Sequence, residues 1–182
     1  MRTSKIFIVL PAYNEELAIG KLLERIEESM YENMLKSYQV IVVDDGSTDN
    51  TIEVVRSVSD RIPIKIEKHS HNMGLGNTIR DGIYLASKMA SDRDIIITMD
   101  ADDTHTPGLI KRMTMMINEG HDVVIASRYQ KGARVIGVPF IRQLYSYGAS
   151  YLFRILMPIK GVKDYTCGYR AYRASVLKSA IN

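Results

Sequence analysis

Short, unbroken apolar runs recur along the first two-thirds of the chain. They lie within Lys5–Leu10, Gln39–Val43, Asp94–Met99 and Asp122–Ser127; Ile64–Glu67 is a further, short strand candidate. Runs of this length, rich in β-branched residues and apolar at every position, predict strands buried on both faces. Between them the apolar spacing changes to that of a helix. Asn14 is placed to cap a helix reaching about Met30, with Leu17, Leu22, Leu23 and Ile26 on one side. Ser47, Thr48 and Asp49 offer caps for a second helix through about Val58. Gly76–Met89 reads as a third, and Pro107 opens a fourth that ends near Asn118 with Gly120 at its C-terminus. Strand–helix alternation of this kind predicts one α/β domain with a mostly parallel sheet. Ligands of such sheets bind at the carboxyl ends of the strands. Polar clusters stand there, after Leu10, Val43, Met99 and Ser127.

Arg142–Met157 has a different pattern. Leu144, Gly148, Tyr151, Leu152 and Ile155 follow helical spacing, with Tyr145, Tyr147, Arg142 and Arg154 beside them. Two readings fit: a helix packed on the sheet, or an amphipathic helix at a lipid interface, where Tyr and Arg are favoured.

Composition adds limits. The 182 residues suit a single domain, and 46% hydrophobic with 25% charged residues excludes disorder. No stretch approaches the roughly 18 apolar residues of a spanning helix. Ile6–Leu10 is too short for a secretory signal. Cys167 is the only cysteine, so no internal disulfide forms, and a reducing compartment is the natural reading. Through Ser127 there are 14 Lys and Arg against 20 Asp and Glu, a net of −6; from Arg128 onward there are 10 against one, a net of +9. The C-terminal third, residues 128–182, is therefore a solvated basic surface or a surface for phosphates or an anionic membrane leaflet. No nucleic-acid motif accompanies the charge, so nucleic acid is not an expected partner.

Asp100-Ala101-Asp102 closes an apolar strand. In an extended chain alternate residues face one side, so both carboxylates can meet a single cation. Mg²⁺ or Mn²⁺ suits one or two carboxylates and completes its shell with water and phosphate oxygens. Asp44-Asp45-Gly46-Ser47-Thr48-Asp49 makes a turn and helix cap, which leaves two adjacent acids unexplained; one of them can accept a nucleobase N–H. Tyr13, after Pro11, offers a face for a base, and Glu15 an acceptor. His71-Asn72-Met73-Gly74-Leu75-Gly76 lacks the full glycine signature of a phosphate loop. His69 and His71 alternate, yet no acid or cysteine cluster accompanies them to hold zinc.

In order and spacing, PAYNE, VVDDGSTDNT, NMGLG–IRDG, MDADDTHTP, ASRY–KG and DYTCGYRAYR resemble family 2 glycosyltransferases. The GLG, SRY–KG and TCGYRAYR elements are most similar to dolichol-phosphate mannosyltransferases and other polyprenyl-phosphate glycosyltransferases. The resemblance implies a GT-A fold, a Rossmann-like three-layer α/β/α sandwich, with residues 1–127 binding nucleotide sugar and 128–182 facing acceptor and membrane. It implies that Pro11, Tyr13, Glu15, Val43 and Asp45 hold the nucleotide. Asp100 and Asp102 hold the metal, and Ala101 meets the nucleotide sugar through its backbone. Arg128, with Arg142, takes phosphate oxygens of donor or acceptor. GDP-mannose is the favoured donor and a polyprenyl phosphate the acceptor, at the cytoplasmic face of a membrane, with a membrane subunit as a further partner. Thr104 stands where relatives often have a metal-assisting glutamine, and relatives usually continue well beyond the position of Asn182.

Transfer to a sugar hydroxyl needs a general base, whereas a phosphate dianion attacks without one. Asp164 is the only acid after Arg128, which favours a phosphate acceptor. The alternatives are a UDP-glucose-type transferase to polyprenyl phosphate or a saccharide, and a nucleotide-binding, membrane-associated module without turnover.

Overall fold

A computed structural model describes residues 4–130, 148, 151–153, 155–156, 158–159 and 161–181. In chain order the elements are β1 (Ile6–Ala12), α1 (Ile19–Glu32), β2 (Tyr38–Asp44), α2 (Thr51–Ser57), β3 (Ile64–Lys68), α3 (Leu75–Met89), β4 (Ile95–Thr98), α4 (Leu109–Asn118), β5 (Val123–Ile125), β6 (Arg170–Arg173) and α5 (Ala174–Ile181). They form one sheet in the order β3-β2-β1-β4-β6-β5. β1 pairs in parallel with β2 and β4, and β2 with β3, while β6 is antiparallel to both β4 and β5.

Helices cover both faces, as the unbroken apolar strands predict. Ile6, Ile8 and Leu10 of β1 pack with Leu22, Leu23 and Ile26 of α1, Val55 of α2, and Ile110, Met113 and Ile117 of α4. The alternate residues Phe7 and Val9 pack on the other side with Ala86 of α3 and Ala174 at the start of α5. All seven residues of β1 are consequently buried. The face of α3 that meets the sheet is small, Thr78, Gly82 and Ala86. A Cβ on Gly82 would lie 2.4 Å from Cγ1 of Val9 and 2.9 Å from Cγ2 of Val43, so its absence sets how closely α3 approaches.

Several expectations are corrected. Asn14 does not cap α1; it adopts a left-handed backbone (φ 55°), and the helix starts at Ile19. Leu17 lies before the helix and is 93% exposed, not part of its apolar side. The strand expected over Asp122–Ser127 shrinks to three residues. A sixth strand, β6, inserts between β4 and β5, where the sequence pattern predicts nothing. Arg170 and Arg173 disguise it. Arg170 donates to the carbonyls of Cys167 (2.7 Å) and Tyr165 (2.6 Å), and Arg173 to those of Ile117 (2.6 Å) and His121 (3.2 Å) and to Asp122 Oδ1 (3.2 Å), so both charged residues of this inner strand have polar partners. The Arg142–Met157 segment lies largely outside the described residues. Those of its residues that are described, Gly148, Tyr151, Leu152, Phe153, Ile155 and Leu156, are helical and exposed; Ile159 beyond it is exposed but not helical.

Strand order reverses at β1. The chain runs outward through β2 and β3, then returns to lay β4 on the other side of β1. Pro11 stands at this seam. Val9 C=O accepts the Met99 N–H, so β1 faces β4 at Val9 and, two residues on, at Pro11. The β1–β4 ladder ends at Val9 and Thr98, so the N–H that proline lacks has no partner strand to miss.

Candidate active site

Loops from four strand ends gather at this seam. The first two are laced together. Asn14 N–H donates to Ser47 Oγ (2.9 Å), and Thr48 N–H to Asn14 Oδ1 (2.9 Å). Glu15 N–H donates to Thr51 Oγ1 (2.8 Å), Glu16 N–H to Asp49 Oδ2 (3.1 Å), and Asn50 N–H to Glu16 Oε2 (2.9 Å). Groups expected to cap helices thus tie the loop after β1 to the loop after β2; Asp49 does both, its Oδ1 also accepting the Thr51 N–H (3.0 Å) at the start of α2. This leaves Tyr13 44% exposed above the seam. Pro11 and Val43 lie in register on neighbouring strands with buried side chains, so only their backbones face a ligand.

Of the two adjacent acids, Asp44 is fully buried and accepts Ser47 N–H (3.2 Å), closing the turn. Asp45 turns toward the loop after β3. Its Oδ1 lies 2.7 Å from His69 Nδ1 and accepts Met73 N–H (2.8 Å), and its Oδ2 accepts Gly74 N–H (2.9 Å). Burial pushes the Asp45 carboxyl up, but the His69 bond and these backbone donors outweigh it and hold the carboxyl below its ordinary range. Gly46 has φ 72°, and a Cβ there would lie 2.6 Å from the His71 carbonyl carbon. Glycine is required where one loop passes over the other.

The acids after β4 are set by turns. β4 ends at Thr98, and residues 101–103 bend, so the two carboxylates are not alternate residues of an extended strand as expected. Asp102 Oδ1 accepts the Thr104 N–H (3.1 Å) and hydroxyl (2.7 Å). Thr104 thus steadies a carboxylate where a third metal ligand was in question. Asp103, left-handed at φ 56°, pairs with Arg25 and Lys21 of α1 and anchors the loop. His105 Nδ1 accepts Asp100 N–H (3.3 Å), and its Nε2 is 3.8 Å from Asp100 Oδ2. Ala101 is buried and offers its backbone. The segment before β6 closes in from behind. Thr98 Oγ1 donates to the Gly168 carbonyl (2.7 Å), and a Cβ on Gly168 would lie 3.0 Å from Asp100 Oδ1. The Tyr169 hydroxyl donates to the Thr106 carbonyl (3.2 Å). Asp103, Gly168 and Tyr169 were not singled out from sequence; the spacing of DADD and TCGY carried no geometric signal without the fold.

Whether these residues suit a divalent cation is tested by Glu15. Its carboxyl is raised by burial first, then by the charges of Asp102, Asp49 and Asp100. Acids from three loops therefore share one field, the situation a cation relieves. Among the described residues no three His, Cys, Asp or Glu side chains form a ready-made cluster. Two aspartates with water and diphosphate oxygens match the way Mg²⁺ and Mn²⁺ are held beside substrates.

Arg128 forms a two-pronged pair with fully buried Asp164, Nε to Oδ2 and Nη2 to Oδ1, both 2.9 Å, and Nη2 also donates to Thr166 Oγ1 (2.6 Å). The pair raises the guanidinium above its ordinary value; on the aspartate it overrides burial and lowers the carboxyl. Asp164 is thus committed and is no general base. Cys167 is buried with its thiol toward the Ala126 carbonyl (3.2 Å). Arg142 lies outside the described residues.

Comparison with known proteins adds four likenesses. Residues 7–180 match Glycosyl transferase family 2. The chain is 34% identical over 175 residues to a dolichol-phosphate mannosyltransferase of Pyrococcus furiosus, covering 96% of this chain and 47% of that protein. It is 28% identical over 192 residues to a UDP-N-acetylglucosamine–dolichyl-phosphate N-acetylglucosaminyltransferase of Methanococcus voltae, covering 98% and 73%. The crystal structure of glucosyl-3-phosphoglycerate synthase from Mycobacterium tuberculosis, in complex with Mn²⁺, UDP and phosphoglyceric acid, superposes with a TM-score of 0.67 at 22% identity, covering 97% of this chain and 58% of that one. At that identity the likeness shows the fold alone. The chain spans about half the length of the Pyrococcus relative.

Proposed function

The chain belongs to glycosyl transferase family 2, with the GT-A fold, and from that premise we propose that it moves a hexose, with inversion, from a nucleoside diphosphate onto a polyprenyl phosphate. The observation that carries the reading is the shared field of Glu15, Asp49, Asp100 and Asp102 at the strand-order reversal, where a diphosphate and its cation belong. GDP-mannose is the favoured donor, in line with the Pyrococcus relative; UDP-sugars are the competing donors, in line with the Methanococcus one.

In this reading Tyr13 stacks on the base and Asp45 accepts a base N–H. Asp100 and Asp102 would hold Mg²⁺ or Mn²⁺, which neutralises charge on the departing diphosphate. Ala101 and Val43 contribute backbone contacts. Arg128 keeps its Nη1 edge for phosphate while Asp164 fixes the rest of the guanidinium. The acceptor phosphate, largely dianionic at neutral pH, attacks the anomeric carbon without help from a protein base. Residues 128–182, outside the two elements that rejoin the sheet, face the acceptor and an anionic leaflet on the cytoplasmic side.

Transfer of labelled sugar to a short polyprenyl phosphate, compared across GDP-mannose, UDP-glucose and UDP-N-acetylglucosamine, tests this. One donor should give product, and Asp102→Asn should cut the rate at least about 100-fold if electrostatic stabilisation of the leaving group is lost. Nucleotide binding with no product from any donor would make the chain a binding module.

A further inference from the structure

The histidine after β3 is bound at both ring nitrogens. His69 is buried, its Nδ1 lies 2.7 Å from Asp45 Oδ1, and its Nε2 is 3.4 Å from Asp81 Oδ2 on α3. Its own N–H donates to the Asp44 carbonyl (2.8 Å), which fixes the ring's backbone to the end of β2. The imidazole therefore bridges three elements: β2, β3 and α3. Its shorter contact falls on a carboxylate that also gathers two backbone N–H groups.

From this geometry we infer that His69 is a positioning residue for base recognition: it aims the Asp45 carboxylate so that Oδ2 meets a nucleobase N–H. This rests on the reading of Asp45 as a nucleotide contact. Asp45 Oδ1 takes both His69 and the Met73 N–H, whereas Oδ2 takes the Gly74 N–H, so Oδ2 is the oxygen that keeps a lone pair for a base. An ionised carboxylate only accepts. It therefore favours guanine or uracil, whose Watson–Crick edges carry a ring N–H, over adenine, which presents a ring acceptor there. A carboxylate free to rotate would lose that discrimination, because its oxygens would no longer meet the edge at a fixed angle. His69 supplies the restraint from one side and the Met73–Gly74 backbone from the other, while Asp81 keeps the ring from turning away.

The test is calorimetric titration of the full chain with GDP, UDP and ADP in the presence of Mg²⁺. The readout is the affinity ratio of the preferred nucleotide to ADP. Asp45→Asn should collapse the ratio by about ten-fold or more, the scale of a hydrogen bond to a charged group. His69→Ala should collapse it similarly, and the double variant should be no worse than Asp45→Asn alone, as expected of coupled residues. His69→Gln, which restores an N–H donor, should recover part of the ratio. If Asp45→Asn leaves the ratio unchanged, or the wild-type chain binds none of the three, the reading of Asp45 fails and the inference falls with it. If Asp45→Asn collapses the ratio and His69→Ala does not, the inference alone is overturned. Should His69→Ala fail to fold, His69→Phe decides: it fills the ring's space without a donor, so a wild-type ratio in that variant overturns the inference and a collapsed one supports it. Equal weakening of preferred nucleotide and ADP would mark a merely structural histidine and also overturn it.

Discussion

Glu15 reports on the charge around it. Its carboxyl sits above the ordinary range through burial and through Asp102, Asp49 and Asp100, so a cation held by the aspartates must bring it down. Following the Glu15 side-chain carboxyl by ¹³C NMR should show its titration move to lower pH on adding Mg²⁺; an unmoved curve would mean that no cation settles there. Asp164 carries the opposite sign. Its carboxyl is lowered by Arg128, so its contribution to stability is complete above the ordinary carboxylate value of about 3.9 and fades as pH falls through its folded value. Asp164→Asn leaves the partly buried guanidinium without its counter-charge and should cost about 3 kcal/mol in denaturant unfolding at neutral pH. The loss should shrink in acid, where the wild-type carboxylate is protonated as well.

At the scale of elements, α3 lies close against the sheet, and Gly82 makes that approach possible. Gly82→Ala should destabilise by about 2 kcal/mol through overpacking against Val9 and Val43, and Val9→Ala in the same chain should return part of that loss. Thermal unfolding of the single and double variants reads the coupling. The first five strands and the four helices between them were legible in the sequence because β1, β2, β4 and β5 are built on continuous apolar runs, β3 keeps alternate isoleucines, and cap residues or 3.6-residue apolar spacing mark the helices. β6 was not legible, since its arginines are engaged by carbonyls, and Arg173 also by Asp122, brought together only by the fold, which a linear pattern cannot reveal. Pro11, Tyr13, Asp45 and the DAD acids were found by motif, and the fold brings their loops to one seam. The exchange of partners among Asn14, Glu16, Ser47 and Asp49 was missed because each residue alone reads as a local helix cap. The commitment of Arg128 to Asp164 was missed because 36 residues separate them.

Charge is divided along the whole molecule, acidic through Ser127 and basic beyond it. The exposed apolar residues Tyr151, Leu152, Ile155, Leu156 and Ile159 lie within the basic part. Binding to anionic vesicles should therefore be measurable at low ionic strength by co-sedimentation. It should weaken several-fold on raising salt from about 0.05 to 0.5 M, as the Debye length falls well below about 10 Å. Retention on neutral vesicles alone would shift the weight to the apolar residues, and no binding to either would remove the membrane from the proposal. The position of β6 has a further consequence, for the order in which the molecule is made. Among the described residues β5 pairs only with β6, and β6 alone covers the flank of β4 away from β1. A nascent chain that has emerged only through Ile125 holds four parallel strands and a waiting fifth. The loop bearing Asp100 and Asp102 meanwhile lacks the backing of Gly168 and Tyr169. Translation must deliver residues 168–173 before that loop can set, so the site forms only after a segment made well after its own acids has left the ribosome.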